Sequence, residues 1–244
     1  MESYRVSIVV AAMVCISAPA AALDLPQPFS ASYLGRPYAV GKLETVITLE
    51  RSSERLRYTM RSKASAPFYR NEFYECSLMR LRGGRIFPLE YKHTDKNNPD
   101  KNLSGRFDWN TNTATVTRAD GDAAHITGLV WPVWDPLSLH VGIMTDLRNG
   151  KFDTEKVYRL LDRKGITERR LRNVGDEAVE IQTNTVKAVA VERLGGKSEQ
   201  LWFASEHGYM PVRIELKGVR VELISDPTNV VNRDVVPDRQ IPGC

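Results

Sequence analysis

From Phe29 onward, apolar and polar residues alternate with a period of two, and turn residues interrupt the alternation at short intervals. A strand with one buried and one wet face produces that pattern. Leu43, Thr45, Ile47 and Leu49 fall on one face, against Lys42, Glu44, Thr48 and Glu50 on the other. After the turn Arg51-Ser52-Ser53-Glu54, Leu56, Tyr58 and Met60 alternate with Arg55, Arg57, Thr59 and Arg61. These residues predict a β-hairpin with one solvated side. Gly83-Gly84 then joins strands over 71–81 and 85–93, since a glycine pair supplies the positive φ angles of a two-residue turn. Strands over 103–109, 113–118 and 123–127 follow at hairpin spacing.

One segment breaks this rhythm. Across 135–150, Leu137, Val141, Met144 and Leu147 recur at intervals of three and four, which is one stripe of a helix. Asp135 is a favourable N-cap, Pro136 suits a first helical turn, and Asn149-Gly150 is a stop. The β pattern resumes over 155–161, 166–174, 178–182, 186–194, 199–204, 212–217 and 219–224, with a break expected at Gly175-Asp176. The remainder, 226–244, carries three prolines and little apolar material and reads as a tail.

The fold class is therefore all-β and mainly antiparallel. No linker separates the strands before the helix from those after it, so residues 23–225 are read as a single domain. A flat sheet of so many strands would leave long edges, which favours a strongly curved sheet, a partly closed β-barrel around one central helix. An outer-membrane barrel does not fit, because Arg55, Arg57, Arg61, Arg80 and Arg82 would have to be hidden from lipid.

The N-terminus refines the location. Arg5 precedes an uncharged run over 6–16, then Ser17-Ala18-Pro19-Ala20-Ala21-Ala22, the order of a secretory signal peptide with a cut after Ala22. The run is shorter than the ~20 residues of a membrane-spanning helix. Cys15 follows Ala12-Met13-Val14, and the bulky Val14 argues against lipidation there. Export places the chain in the periplasm, where a disulfide between Cys76 and Cys244 can persist. A bridge and two free thiols are equally compatible with the residues alone. The net charge of +4 is too small for a nucleic-acid footprint, and leaves weak attraction to anionic head groups.

Candidate chemistry is sparse. His93, His125, His140 and His207 are scattered without metal-ligand spacing, and are read as surface or turn residues. No metal site or cofactor is implied. Asp135, Ser138 and His140 share a triad's composition, yet positions two apart on a helix point in different directions, so Asp135 and Ser138 are read as capping groups. The carboxylate pairs Asp95/Asp100 and Glu177/Glu180 are read as solvated. Trp131-Pro132-Val133-Trp134 is the most unusual local feature: it either plugs an open end of the sheet or lines a cavity there.

Several of these features occur together in one known family. The leader, the strand Phe29-Ser30-Ala31-Ser32-Tyr33, the helix opening Asp135-Pro136-Leu137-Ser138 with Arg148 at its end, and the pair Leu201-Trp202-Phe203 and Tyr209-Met210-Pro211-Val212-Arg213-Ile214 resemble periplasmic proteins grouped as domain of unknown function 3108. The resemblance spans nearly all the mature chain. It implies a Gram-negative envelope protein with a β-barrel-like fold and brings no activity or catalytic residues. The expectation is a non-enzymatic binding module for a lipid-like or amphipathic ligand, with Trp131, Trp134, Leu137, Val141 and Met144 at the mouth of an apolar groove. The alternatives are an envelope enzyme acting on cell-wall glycan or lipopolysaccharide, and an assembly protein recruiting an envelope partner through a sheet edge.

Overall fold

A computed structural model of the chain describes residues 23–37, 41–182, 184–225, 241 and 243–244. The expected leader, 1–22, and most of the expected tail, 226–240, lie outside the described residues. Before the helix the strands are β1 (Phe29–Gly35), β2 (Lys42–Arg51), β3 (Arg55–Ala66), β4 (Tyr69–Arg82), β5 (Arg85–Asp95), β6 (Leu103–Asp108), β7 (Thr113–Arg118) and β8 (Ala123–Thr127). After α1 (Ser138–Arg148) come β9 (Glu155–Asp162), β10 (Gly165–Ile181), β11 (Asn184–Leu194), β12 (Glu199–Ala204), β13 (Met210–Leu216) and β14 (Val219–Leu223).

All fourteen strands form one antiparallel sheet in the order β8-β7-β6-β5-β4-β3-β2-β1-β14-β13-β12-β11-β10-β9. Each half of the chain is a meander of consecutive hairpins. The halves meet where β1 pairs with β14 through Tyr33↔Leu223, Leu34↔Glu222 and Gly35↔Val221. Gly35 is required at this junction, because a Cβ there would stand 2.5 Å from a Val221 methyl and 2.6 Å from the Arg220 carbonyl oxygen.

The sheet curls without closing. Register shifts in β4–β5, β10–β11 and β12–β13 add the local twist that bends it. One of them explains a departure from the expected strands. Gly175, read as a break, is a bulge inside the continuous strand β10, and its φ of 109° absorbs the extra residue. Where the two sheet ends approach, the chain entering the helix runs beside β9: the Trp134 N–H donates to the Arg159 carbonyl (2.8 Å) and the Leu161 N–H to the Trp134 carbonyl (2.7 Å). A small second core of Phe107, Ala114, Val116, Leu129, Val133 and Leu161 fills that approach.

Helix α1 starts two residues later than expected, with Leu137 rather than Asp135 at the N-cap position. Asp135 nevertheless caps its first turn, accepting from the N–H groups of Leu137 (3.0 Å) and Ser138 (2.8 Å). The periodicity predicts one apolar stripe, but the sheet encloses the helix on nearly every side, leaving only Asp146 and Arg148 outside the buried set. Leu139, Val141, Ile143 and Met144 join one core with Phe29, Ile47, Leu49 and Phe203. Gly142 lets the Trp134 indole lie against the helix, where a Cβ would be 2.9 Å from two ring carbons.

Both ends of the domain are tied down. Leu23 and Leu25 pack on the core, and Asp24 pairs with Arg148 (2.7 Å) and receives the Asn149 side-chain amide on its carbonyl (2.9 Å). A disulfide joins Cys76 on β4 to Cys244, 168 residues apart in sequence. Among the described residues no helix is long and apolar enough to cross a membrane.

Candidate functional site

Two places bring chemistry-bearing side chains together. The first lies inside the sheet, around the start of α1. The Ser77 hydroxyl donates to the free oxygen of the Asp135 carboxylate (2.7 Å), and the Ser138 hydroxyl accepts the Asp135 N–H (2.9 Å). Asp135 is wholly buried, and loss of hydration pushes its pKa up to about 6 even though four hydrogen bonds favour the charged form. One turn on, burial lowers the pKa of His140. Its Nδ1 has no hydrogen-bond partner among the described residues, and neither has the hydroxyl of Tyr58, whose ring meets the imidazole edge-on at 6.0 Å.

The walls facing this helix end are also polar. On β4 and β5, Glu75 accepts from the Tyr91 hydroxyl (3.1 Å) and contacts His93 Nδ1 (2.7 Å). On β10 and β12, Arg169 is paired with Glu199 (3.1 Å). The helix end itself is sealed: the Asp135 carboxylate has no exposed surface and His140 only 9%. Ser77 and Ser138 are engaged with Asp135 itself, which suits helix capping and interior pairing rather than attack on a substrate.

The second place is a cleft of about 940 Å³ over β1–β5, lined by a more exposed cross-strand row and by the adjoining, mostly buried row of Tyr33, Thr45, Ser62, Phe73 and Asp95. Alternation builds it. Ser32, Val46, Arg61, Tyr74 and Thr94 are successive cross-strand partners from β1 to β5, and one row further on stand Glu44, Lys63 and Glu72. Ile224 borders one end, Lys96, Pro99 and Asn102 the other. Arg61 lies over the Tyr74 ring (5.2 Å), whose hydroxyl accepts from Arg57 (3.0 Å). Lys63 and Lys96 each stand 3.9 Å from Glu72, and Lys42 pairs with Glu44 (2.6 Å). Exposed apolar surface at Val46 (41%) and Ile224 (40%) therefore adjoins a row of alternating charge.

The residues singled out in the sequence occupy other positions. Trp134, Leu137, Val141 and Met144 do come together, but as members of the main core, at 6%, 1%, 0% and 0% exposure. Trp131 stands apart on the wall of β5, donating to the Ile86 carbonyl (2.9 Å) with Arg85 over its ring (4.8 Å). None of the five borders the cleft. Two of the histidines also differ from expectation: His140 is interior, because α1 is enclosed on all sides, and His93 is half-buried against Glu75. Asp95 is engaged by Asn71 (2.8 Å), and Glu177 accepts from the Trp202 indole (2.7 Å). Among the described residues no three His, Cys, Asp or Glu side chains are grouped to hold a metal ion.

This architecture can be set beside known proteins. A family model described as "Protein of unknown function (DUF3108)" matches residues 28–222. The chain belongs to that family. The DUF3108 match runs from the start of β1 almost to the end of β14, so it takes in both meanders and the enclosed helix. No curated protein matches the chain. Among solved structures, a β-barrel-like protein of domain of unknown function DUF1849 from Brucella abortus is similar at 6% identity with a TM-score of 0.49, over 82% of this chain and 96% of that one.

Proposed function

We propose that this DUF3108 protein is a non-enzymatic binding module of the bacterial periplasm, and that its ligand is amphipathic or lipid-like and sits in the cleft over β1–β5. The observation that carries the reading is the composition of that cleft. Its volume falls within the range of small-molecule sites, about 300–1,000 Å³. Apolar surface from Val46, Ile224 and the face of Tyr74 lies beside Arg61, Lys63, Glu44 and Glu72. An apolar chain would lie along the first set, and a polar or zwitterionic head would meet the second. The periplasmic setting is supported by the leader-like N-terminus and by the Cys76–Cys244 bridge, which an oxidising compartment sustains.

Native mass spectrometry of protein purified from the cell envelope tests the reading. It should find a co-purifying amphipathic molecule, and Val46→Asp, an exposed site whose change spares the core, should strip it away. A protein that is empty in repeated preparations, or one that keeps its ligand in the Val46→Asp variant, refutes this site.

A further inference from the structure

The hairpin of β3 and β4 ends in a two-residue turn, Pro67-Phe68, closed by the pair Ala66↔Tyr69. Phe68 has a φ of 66°, in the left-handed region that a residue after a turn proline normally yields to glycine or asparagine. Its side chain is fully exposed, and the adjoining Tyr69 is 48% exposed. A bulky aromatic in this position costs conformational energy and gains no packing, so the stability of the fold does not account for it.

The antiparallel order puts alternate turns at the same end of the sheet. The turn after β13 therefore stands at the Phe68 end, and it brings Leu216, another exposed apolar residue at 45%. The same end is basic. Arg36 after β1, Arg70 beside the tip, Lys101 before β6, Lys197 before β12 and Lys217 before β14 all come from separate connections. Lys197 and Lys217 are close enough that Lys197 holds the Lys217 pKa below its ordinary value, with Lys101 adding to the effect. Acids lie at this end as well: Asp95 at the end of β5 stands 3.8 Å from Lys101, and exposed Asp100 adjoins that lysine on the β5–β6 connection. Asp120 and Asp122 are on the β7–β8 turn at the sheet margin, several strands from Phe68, with Asp122 paired to Arg118.

We infer that this end of the domain docks on an anionic lipid surface, with Phe68 and Tyr69 entering the head-group region and the surrounding basic turns meeting the lipid phosphates. The shape favours a bilayer over a protein partner. A protruding aromatic tip requires a matching pocket in a folded partner, whereas a lipid interface deforms around it. The cations are spread over several turns instead of converging on one point, which matches a charged plane. The inference is independent of what occupies the cleft, since vesicle binding reads the tip and ligand retention reads the groove.

The test is flotation of the full mature protein with vesicles of about three parts phosphatidylcholine to one part phosphatidylglycerol, against phosphatidylcholine alone. Binding to the anionic vesicles, weakened by added salt, is the expected result. Phe68→Asn should lower partitioning about tenfold, and Asn accommodates a positive φ, so the melting temperature should hold or rise. The tip is overturned if Phe68→Asn floats as well as the wild type. The whole inference fails if the wild-type protein ignores anionic vesicles or binds both kinds equally.

Discussion

Replacing Gly142 by alanine tests how the helix is held. In an isolated helix the change is favourable by about 1 kcal/mol, because alanine loses less backbone freedom. In this protein the new methyl would meet two carbons of the Trp134 indole at 2.9 Å. The ring cannot swing away freely: Trp134 is 6% exposed and its backbone is bonded to Arg159 and Leu161 of β9. Overpacking a dense core costs about 1–3 kcal/mol, and contact with two atoms of a confined ring belongs in the upper half of that range. Gly142→Ala should therefore destabilise by about 1–2 kcal/mol, or lower the melting temperature by roughly 2–8 °C. Urea unfolding of four proteins provides the measurement: wild type, Gly142→Ala, Trp134→Leu and the double variant. With the indole gone the helical preference should reappear, so the substitution becomes neutral or stabilising on the Trp134→Leu background, with a coupling of at least about 1 kcal/mol. A stabilised Gly142→Ala protein, or a cycle without coupling, would refute the packing argument.

Two further outcomes follow from the same interior and its covalent tie. Asp135 has a folded pKa of about 6 against an ordinary 3.8, so the native state holds that proton more tightly than the unfolded chain. The resulting stability is complete below pH ~4 and lost as pH rises through about 6, on the order of 3 kcal/mol in all. Wild-type stability should thus fall relative to Asp135→Asn between pH 4 and 7 in chemical denaturation, while His140, common to both proteins, cancels; parallel curves would contradict the assignment. The Cys76–Cys244 bridge predicts that neither of these cysteines carries a free thiol in the unreduced protein, and a loss of up to ~5 kcal/mol on reduction if chain entropy dominates; titratable thiols at both positions would exclude it.

Hairpins were legible because local chemistry specifies them: Gly83-Gly84 has positive φ at both residues, and the strands on either side of it pair as the alternation requires. The helix was legible as an element but not as an enclosed one. An apolar stripe predicts one buried face, whereas Ser138, His140 and Thr145 are buried as well, and Thr145 satisfies its hydroxyl on the Val141 carbonyl (2.7 Å). Gly175 misled because a glycine that ends a strand and one that bulges it look alike in sequence. The cleft was invisible for a different reason. Glu44 was recognisable only as a wet-face residue of its strand, and its alignment with Lys63 and Glu72 depends on register and sheet curvature. Glu75 and His93 are opposite each other because a register shift at Leu78/Met79 offsets the Gly83-Gly84 hairpin by one residue, which the alternation did not reveal.

The three-residue join between β1 and β14 makes the molecule a clasp with a narrow spine. Each leaf pairs neighbours in the chain, while the spine pairs residues nearly the whole domain apart, which makes it the least local contact in the sheet. Cys76 belongs to the first leaf and Cys244 follows the last strand of the second, so their bond adds a covalent link between the leaves at β4, three strands away from the spine.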